Sequence, residues 1–460
     1  METKHGKMIP KRILTSILSS VSAGVVPRNG AAYIAIGRDA EVSAVLDDLE
    51  NVRDGGSGMR FVIGRYGSGK SFLIQLIRNY ATERGFVCAD TDLTPERRLY
   101  GTNGSGVATY RELMKNMSSK MSPEGGAMPK IIAKWITDVK TDLIKEGLEA
   151  DTSAFQSALN ARILDDLSDV EYMVGGFDFA QVVRLYYTAY CEGDDQKTSA
   201  ALRWLRGEYS TKTEARAALG MNVSLIVSDE NWYDFIKLWA SLLQKIGYCG
   251  FVVFIDECVN LYKISHRISR ENNYEKILSM FNDTLSGSAS GLEIIMGGTP
   301  QFLEDTRRGL FSYEALRSRL CDSRFHKAEY KNLLGPVIRL RRLSDEELYA
   351  LISRITELYA MQYGKEDIIS DEERVRFLSV CAEKSVGNSM ITPREILRDY
   401  MTVLNILMQN PELTFEDVIS EVTLQTEDEG EGEEPLPDSV TIVDGGVGQT
   451  RKIDLTSFDF

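Results

Sequence analysis

The chain has 460 residues, 43% hydrophobic and 26% charged, enough to bury a large core in two or more structural units. Of the formal net charge of −15, residues 426–460 carry −8 (ten acidic against two basic), leaving a mildly acidic body of −7 that argues against broad electrostatic binding of nucleic acid. Six scattered cysteines without a C-x-x-C pair, and only three histidines, speak against a zinc site or a His-based triad. Free thiols with no secretory leader and no long apolar span point to the cytoplasm and away from membranes.

In chain order, Ile13, Leu14, Ile17, Leu18 and Val21 share one face of a predicted N-terminal helix, read as a packing face. Past Pro27 comes Tyr33-Ile34-Ala35-Ile36, then Gly37-Arg38-x-x-Glu41 and an amphipathic helix through Val45, Leu46 and Leu49. Asp54 to Gly58 reads as a turn into a strand ending Phe61-Val62-Ile63. Next stands Gly64-Arg65-Tyr66-Gly67-Ser68-Gly69-Lys70-Ser71, a full match to G-x-x-x-x-G-K-[ST], followed by a helix from Phe72 with Leu73, Leu76, Ile77 and Tyr80 at helical spacing. Strand, glycine loop and helix are what phosphate binding requires. Backbone N–H groups curl around phosphate oxygens, and the helix N-terminus adds its positive dipole end. Residues 64–72 are therefore expected to hold ATP, Lys70 reaching the β- and γ-phosphates and the Ser71 hydroxyl ligating Mg²⁺.

A second strand is predicted over Phe86 to Asp90, and Thr94-Pro95-Glu96 reads as a helix start. From about 95 to 248 the pattern is helical. It holds all four tryptophans and an apolar face from Trp232 to Ile246 with Ser228 as candidate cap, which reads as a helical subdomain with its own core. Phe251-Val252-Val253-Phe254-Ile255-Asp256-Glu257 is a continuous apolar strand ending in two carboxylates, as in the centre of a parallel sheet. Asp256 is expected to hold the Mg²⁺, and Glu257 to polarise the attacking water. The next strand, Gly291 to Thr299, places Thr299 at its tip, either as a γ-phosphate sensor or as a helix cap.

Arg319, in Leu316-Arg317-Ser318-Arg319-Leu320, sits in a stretch from Asp305 to Arg342 with ten basic and four acidic residues. It reads either as an arginine finger or as part of a solvated basic helix. A last strand, Pro336 to Leu340, precedes the capping box Ser344 to Glu347 and a small helical lid, whose last helix opens Thr392-Pro393-Arg394-Glu395. Arg394 is either a residue reaching back to the nucleotide or an exposed first-turn arginine. Glu427 to Glu434 opens an acidic tail expected to be disordered.

The order of these motifs resembles the AAA+ ATPases, in particular the branch with initiator-type and STAND-like proteins. More closely, over about residues 8 to 410, the chain resembles the BREX-system ATP-binding proteins (BrxD-like). That likeness rests on Gly24-Val25-Val26-Pro27, Gly37-Arg38, the loop at 64–71, Asp92 to Glu96, Leu316 to Leu320 and Thr392 to Glu395. It implies a parallel α/β P-loop core of AAA+ type with a large helical insertion and a C-terminal helical lid. Arg319 would be the arginine finger and Arg394 the second sensor. It also implies anti-phage defence beside other components acting on DNA.

The expected units are a lead-in (1–57), an ATPase core (58–343) with its insertion, a lid (344–425) and the tail. The expected function is ATP hydrolysis that drives assembly or remodelling of a DNA-directed complex. The alternative is a nucleotide-gated switch with little turnover. Expected partners are further copies of the chain or other defence proteins. No winged-helix domain follows the lid, so direct contact with DNA is left open.

Overall fold

The computed structural model describes residues 9–101, 103–150, 152–322, 332–365, 368–384, 392–419, 439–441 and 452–454. Helices α1 (Lys11–Ser22) and α2 (Asp39–Arg53) precede β1 (Gly58–Ile63), which runs through the glycine loop into α3 (Lys70–Glu83) and then β2 (Val87–Asp92). Seven helices follow before the chain returns to the sheet: α4 (Ser105–Lys115), α5 (Met128–Lys145), α6 (Ser153–Glu171), α7 (Gly176–Glu192), α8 (Asp195–Leu205), α9 (Lys212–Leu219) and α10 (Trp232–Lys245). Then come β3 (Phe251–Asp256), α11 (Val259–Tyr262), α12 (Arg267–Ser286), β4 (Leu292–Gly298), α13 (Pro300–Glu304), α14 (Glu314–Leu320) and β5 (Val337–Arg339). The lid helices are α15 (Asp345–Tyr363), α16 (Asp371–Lys384) and α17 (Pro393–Gln409).

The five strands form one parallel sheet in the order β2-β3-β4-β1-β5. Because β4 lies between β1 and β3, its tip separates the glycine loop from the Asp256-Glu257 pair. The register puts Ile63 beside Gly298 and Asp92 beside Asp256, so all these C-terminal tips share one edge. Alternation on the pleat sorts β3 between two cores. Phe251, Val253 and Ile255 face a core made with the helices of 105–245, whereas Val252 and Phe254 face α2 and α3.

Three expectations change. The helices between β2 and β3 have no core of their own: Trp204, Trp232 and Trp239 belong to one continuous cluster with Phe61, Val87 and Met296 of the sheet. Amphipathic helices bury their stripe on the nearest apolar face, and here the sheet supplies it. Thr94 starts no helix. Its hydroxyl closes a turn onto the Glu96 and Arg97 amides, Asn273 captures the Leu99 and Tyr100 amides, and α4 begins only at Ser105. Ser228 caps nothing with its side chain; Asn231 is the N-cap residue of α10, and its amide oxygen takes the Ser228 N–H. The packing face expected on α1 is buried, and the lid covers it: Leu14, Ile17, Leu18 and Val21 pack with Ile352, Ile355, Tyr400 and Leu404.

Within the tail, Ser439–Thr441 (β6) pairs antiparallel with Lys452–Asp454 (β7), Val440 opposite Ile453. Glu427 to Glu434, expected to be disordered, lie outside the described residues.

Candidate functional site

The loop between β1 and α3 takes the shape its glycines permit. Gly67 and Gly69 have φ of +73° and +86°, a region that favours glycine, and Gly69 is the N-cap residue of α3. Gly64 has no room for a side chain, since a Cβ there would lie 2.2 Å from Ser68 Oγ. That hydroxyl is buried without a hydrogen-bond partner. The Lys70 ammonium donates to the loop's own Gly64 and Arg65 carbonyls at 3.0 and 3.1 Å. Loss of hydration depresses its pKa, partly offset by the Asp256 and Glu257 carboxylates and reinforced by the Arg394 charge. Arg65 and Tyr66 stand exposed at the apex, and Phe72 is half-buried between the sheet layer and the lid.

Across the sheet edge, Ser71 Oγ donates to Asp256 Oδ2 at 2.7 Å, joining residues 185 apart in the chain. The other Asp256 oxygen accepts the Glu257 N–H at 2.8 Å. The carboxylate fits only because β4 has Gly297 beside it, where a Cβ would lie 2.1 Å from Oδ1. Glu257 is the one described non-glycine residue with positive φ, 55°. A left-handed conformation costs a non-glycine residue on the order of 1 kcal/mol and is characteristic of functional sites. It turns the exposed Glu257 carboxylate away from the path of the strand.

Asp92 is the acid that sequence reasoning missed. The second strand runs two residues further than its composition predicted, to Asp92, which stands in register with Asp256. Loss of hydration, with repulsion from Asp256, Glu257 and Asp90, pushes its pKa up despite Arg97. Its signal was its place at a strand tip, obscured when the following Thr-Pro-Glu was read as a helix start.

The other sequence-chosen residues are distributed as follows. Thr299 caps α13, its hydroxyl accepting the Phe302 N–H at 3.3 Å, and it lines a cleft of about 900 Å³ with Arg65 and Tyr66. Arg394 is an exposed first-turn residue of α17, packed near Gly24 and close enough to influence Lys70. Arg319 is exposed on α14 and donates to the Ala315 carbonyl of its own helix at 2.7 Å; no described contact brings it to the loop of its own chain.

The lid touches the loop at Thr392 and is linked to it a second time through Arg341 and Arg38. Thr392, in the capping box of α17, packs so closely on Gly67 that a Cβ there would lie 2.2 Å from its methyl. Arg38, buried, donates from Nη2 to the Ser68 carbonyl and to the Arg341 carbonyl, both at 2.9 Å. Arg341 in turn pairs with Glu347 of the α15 capping box at 2.7 Å. Burial lowers the Arg38 pKa, while Glu41 and Glu347 oppose that shift. Sequence alone showed the Gly-Arg-x-x-Glu spacing but not what the arginine holds.

A glycine loop at the end of a parallel strand, a lysine and a serine opening the next helix, and an aspartate brought to that serine define a P-loop nucleotide-binding α/β protein. The chain belongs to the family of BREX system ATP-binding proteins BrxC/D, whose model matches residues 9–423. It is thus an ATP-binding protein of a BREX defence system. No curated protein matches the chain. Among the described residues, no helix is long and apolar enough to cross a membrane.

Proposed function

We propose that the chain is an ATPase of AAA+ type that couples ATP hydrolysis to assembly or remodelling of a DNA-directed anti-phage complex. The observation that carries this reading is the Ser71–Asp256 hydrogen bond with Glu257 held in left-handed backbone beside it. A serine hydroxyl and an aspartate 2.7 Å apart at the start of α3 form a polar pair of the kind that holds Mg²⁺ with several retained waters. The buried, unpartnered Ser68 hydroxyl and the loop amides supply further polar groups for phosphate oxygens.

In this reading Gly64 to Phe72 hold ATP, and Lys70 leaves the loop carbonyls to pair with its phosphates. Ser71 and Asp256 would hold Mg²⁺, which would supply positive charge beside the phosphates. Glu257 orients a water against the terminal phosphorus and takes its proton as the bond to the bridging oxygen breaks and ADP departs. Thr299, at the tip of β4, reports on that terminal phosphate. Arg394 senses the nucleotide from the lid. Arg319 serves the site of a neighbouring copy, which fits its exposure and the lack of a described contact with its own loop.

The test is steady-state turnover of Glu257→Gln beside nucleotide affinity. Retained affinity with turnover reduced on the order of a hundredfold or more is expected, since an amide cannot take the proton. Undiminished turnover in that variant would sink the assignment.

A further inference from the structure

The turn joining α6 to α7 presents large apolar side chains to solvent: Tyr172 is 92% exposed, Val174 69% and Phe177 61%. Single exposed apolar residues are ordinary; three within six positions on one turn are not. The backbone that carries them is fixed. Gly175 has φ of +76°, and a Cβ on Gly176 would lie 1.8 Å from the Val170 carbonyl oxygen, so the turn admits only glycine there. The buried Asp178 carboxylate accepts the Ser224 and Leu225 amides at 2.8 and 2.7 Å and ties the start of α7 to the segment before α10. Below the turn, Phe179 meets the Trp239 ring edge-on with centroids 5.2 Å apart. Such a knob has little freedom left to lose on docking.

We propose that this knob docks into an apolar pocket rimmed by lysine and arginine on another protein component of the BREX system. The rim of the knob selects that occupant. Asp165 and Asp169 are exposed and Glu171 half-buried on the last turns of α6, with Lys245 as the cation paired to Asp169 at 2.9 Å. These carboxylates on the α6 side of the knob repel phosphate backbones and anionic lipid headgroups. A second copy meeting the knob with the same turn would set the same carboxylates against them. An apolar pocket with basic residues beside it is complementary in both respects, and an aromatic anchor within a polar rim is the usual anatomy of an interface.

The experiment co-expresses the tagged full chain with each other protein component of the system and measures the affinity of any purified pair. Tyr172→Glu with Phe177→Glu is expected to weaken one such complex at least about tenfold, and Glu171→Lys with Asp169→Lys to weaken the same complex more at low than at high salt. ATP affinity of the variants is expected to match that of the parent and the melting temperature to change little, because Tyr172, Phe177 and Asp169 are exposed, Glu171 is half-buried, and the Asp169–Lys245 pair lost in the second variant is a surface pair that contributes little. Absence of any binary complex, or a complex indifferent to both double variants, overturns the proposal. So does self-association, seen by sedimentation velocity and lost in Tyr172→Glu with Phe177→Glu, which would make the occupant a second copy. Binding of the parent to phosphatidylglycerol vesicles, lost in the same variant, would overturn it in favour of a membrane.

Discussion

Glu293 lies in the middle of the sheet, on β4, with Gly58 and Val252 as its neighbours in register. It is fully buried, and neither carboxylate oxygen has a hydrogen-bond partner. The nearby Arg60 is committed elsewhere, pairing with Asp48 through two hydrogen bonds of 2.7 Å. Burial pushes the Glu293 pKa well up, Asp48 pushes the same way, and Arg60 opposes both. The folded protein therefore holds this carboxyl protonated to a higher pH than the unfolded chain does.

A carboxyl with a raised folded pKa adds most to stability below its unfolded pKa, and that contribution is lost as pH rises toward the folded value. Each pH unit between the ordinary glutamate value near 4.3 and the folded value costs about 1.4 kcal/mol. Glu293→Gln removes that term, and its extra buried N–H groups cost about 1–2 kcal/mol in exchange. The variant should gain on the parent as pH rises from 5 to 8, by up to about 1.4 kcal/mol per pH unit while the folded carboxyl stays protonated, and should be no more stable at pH 5. Urea unfolding of both chains at pH 5, 6, 7 and 8, followed by tryptophan fluorescence, measures the difference. A difference that stays constant with pH, or a variant less stable at pH 8, would show that Glu293 is ionised and compensated, refuting the reasoning.

Lys70→Ala should lower ATP affinity on the order of a hundredfold by isothermal titration with the melting temperature little changed, since it removes a charge that faces the phosphates; unchanged affinity would remove the loop assignment. Gly297→Ala should displace Asp256 and raise the Mg²⁺ concentration needed for half-maximal turnover, because the added Cβ falls 2.1 Å from Oδ1; an unaltered Mg²⁺ dependence would place the metal elsewhere. Arg319→Ala should reduce turnover by a factor on the order of a thousand while sparing ATP affinity, and mixing it with Lys70→Ala should restore part of the activity. Turnover per chain that does not rise with protein concentration, together with no rescue on mixing, would confine Arg319 to its own chain.

The local devices were legible because each is complete within a few residues. The loop at 64–71, the unbroken apolar run before Asp256, and the capping boxes at Ser344–Glu347 and Thr392–Glu395 depend on spacings of one to five positions, which a sequence displays directly. Where two local uses compete, sequence left the choice open, and Thr299 illustrates it: the cap of α13 is present, and it leaves the threonine at the cleft. The register of the sheet was not legible. It decides that Asp92 joins Asp256, that Gly297 makes room for that carboxylate, and that Glu293 is sealed from water beside Gly58. Nor did the N-terminal apolar stripe name its partner. Leu14, Ile17 and Leu18 would satisfy any apolar groove, because hydrophobic burial has no direction, and only the folded chain shows that the lid supplies it. Arg38 is the same case in polar form: its guanidinium fits any pair of carbonyls, and the meeting of Ser68 with Arg341, 273 residues later, is settled by β5 pairing alongside β1.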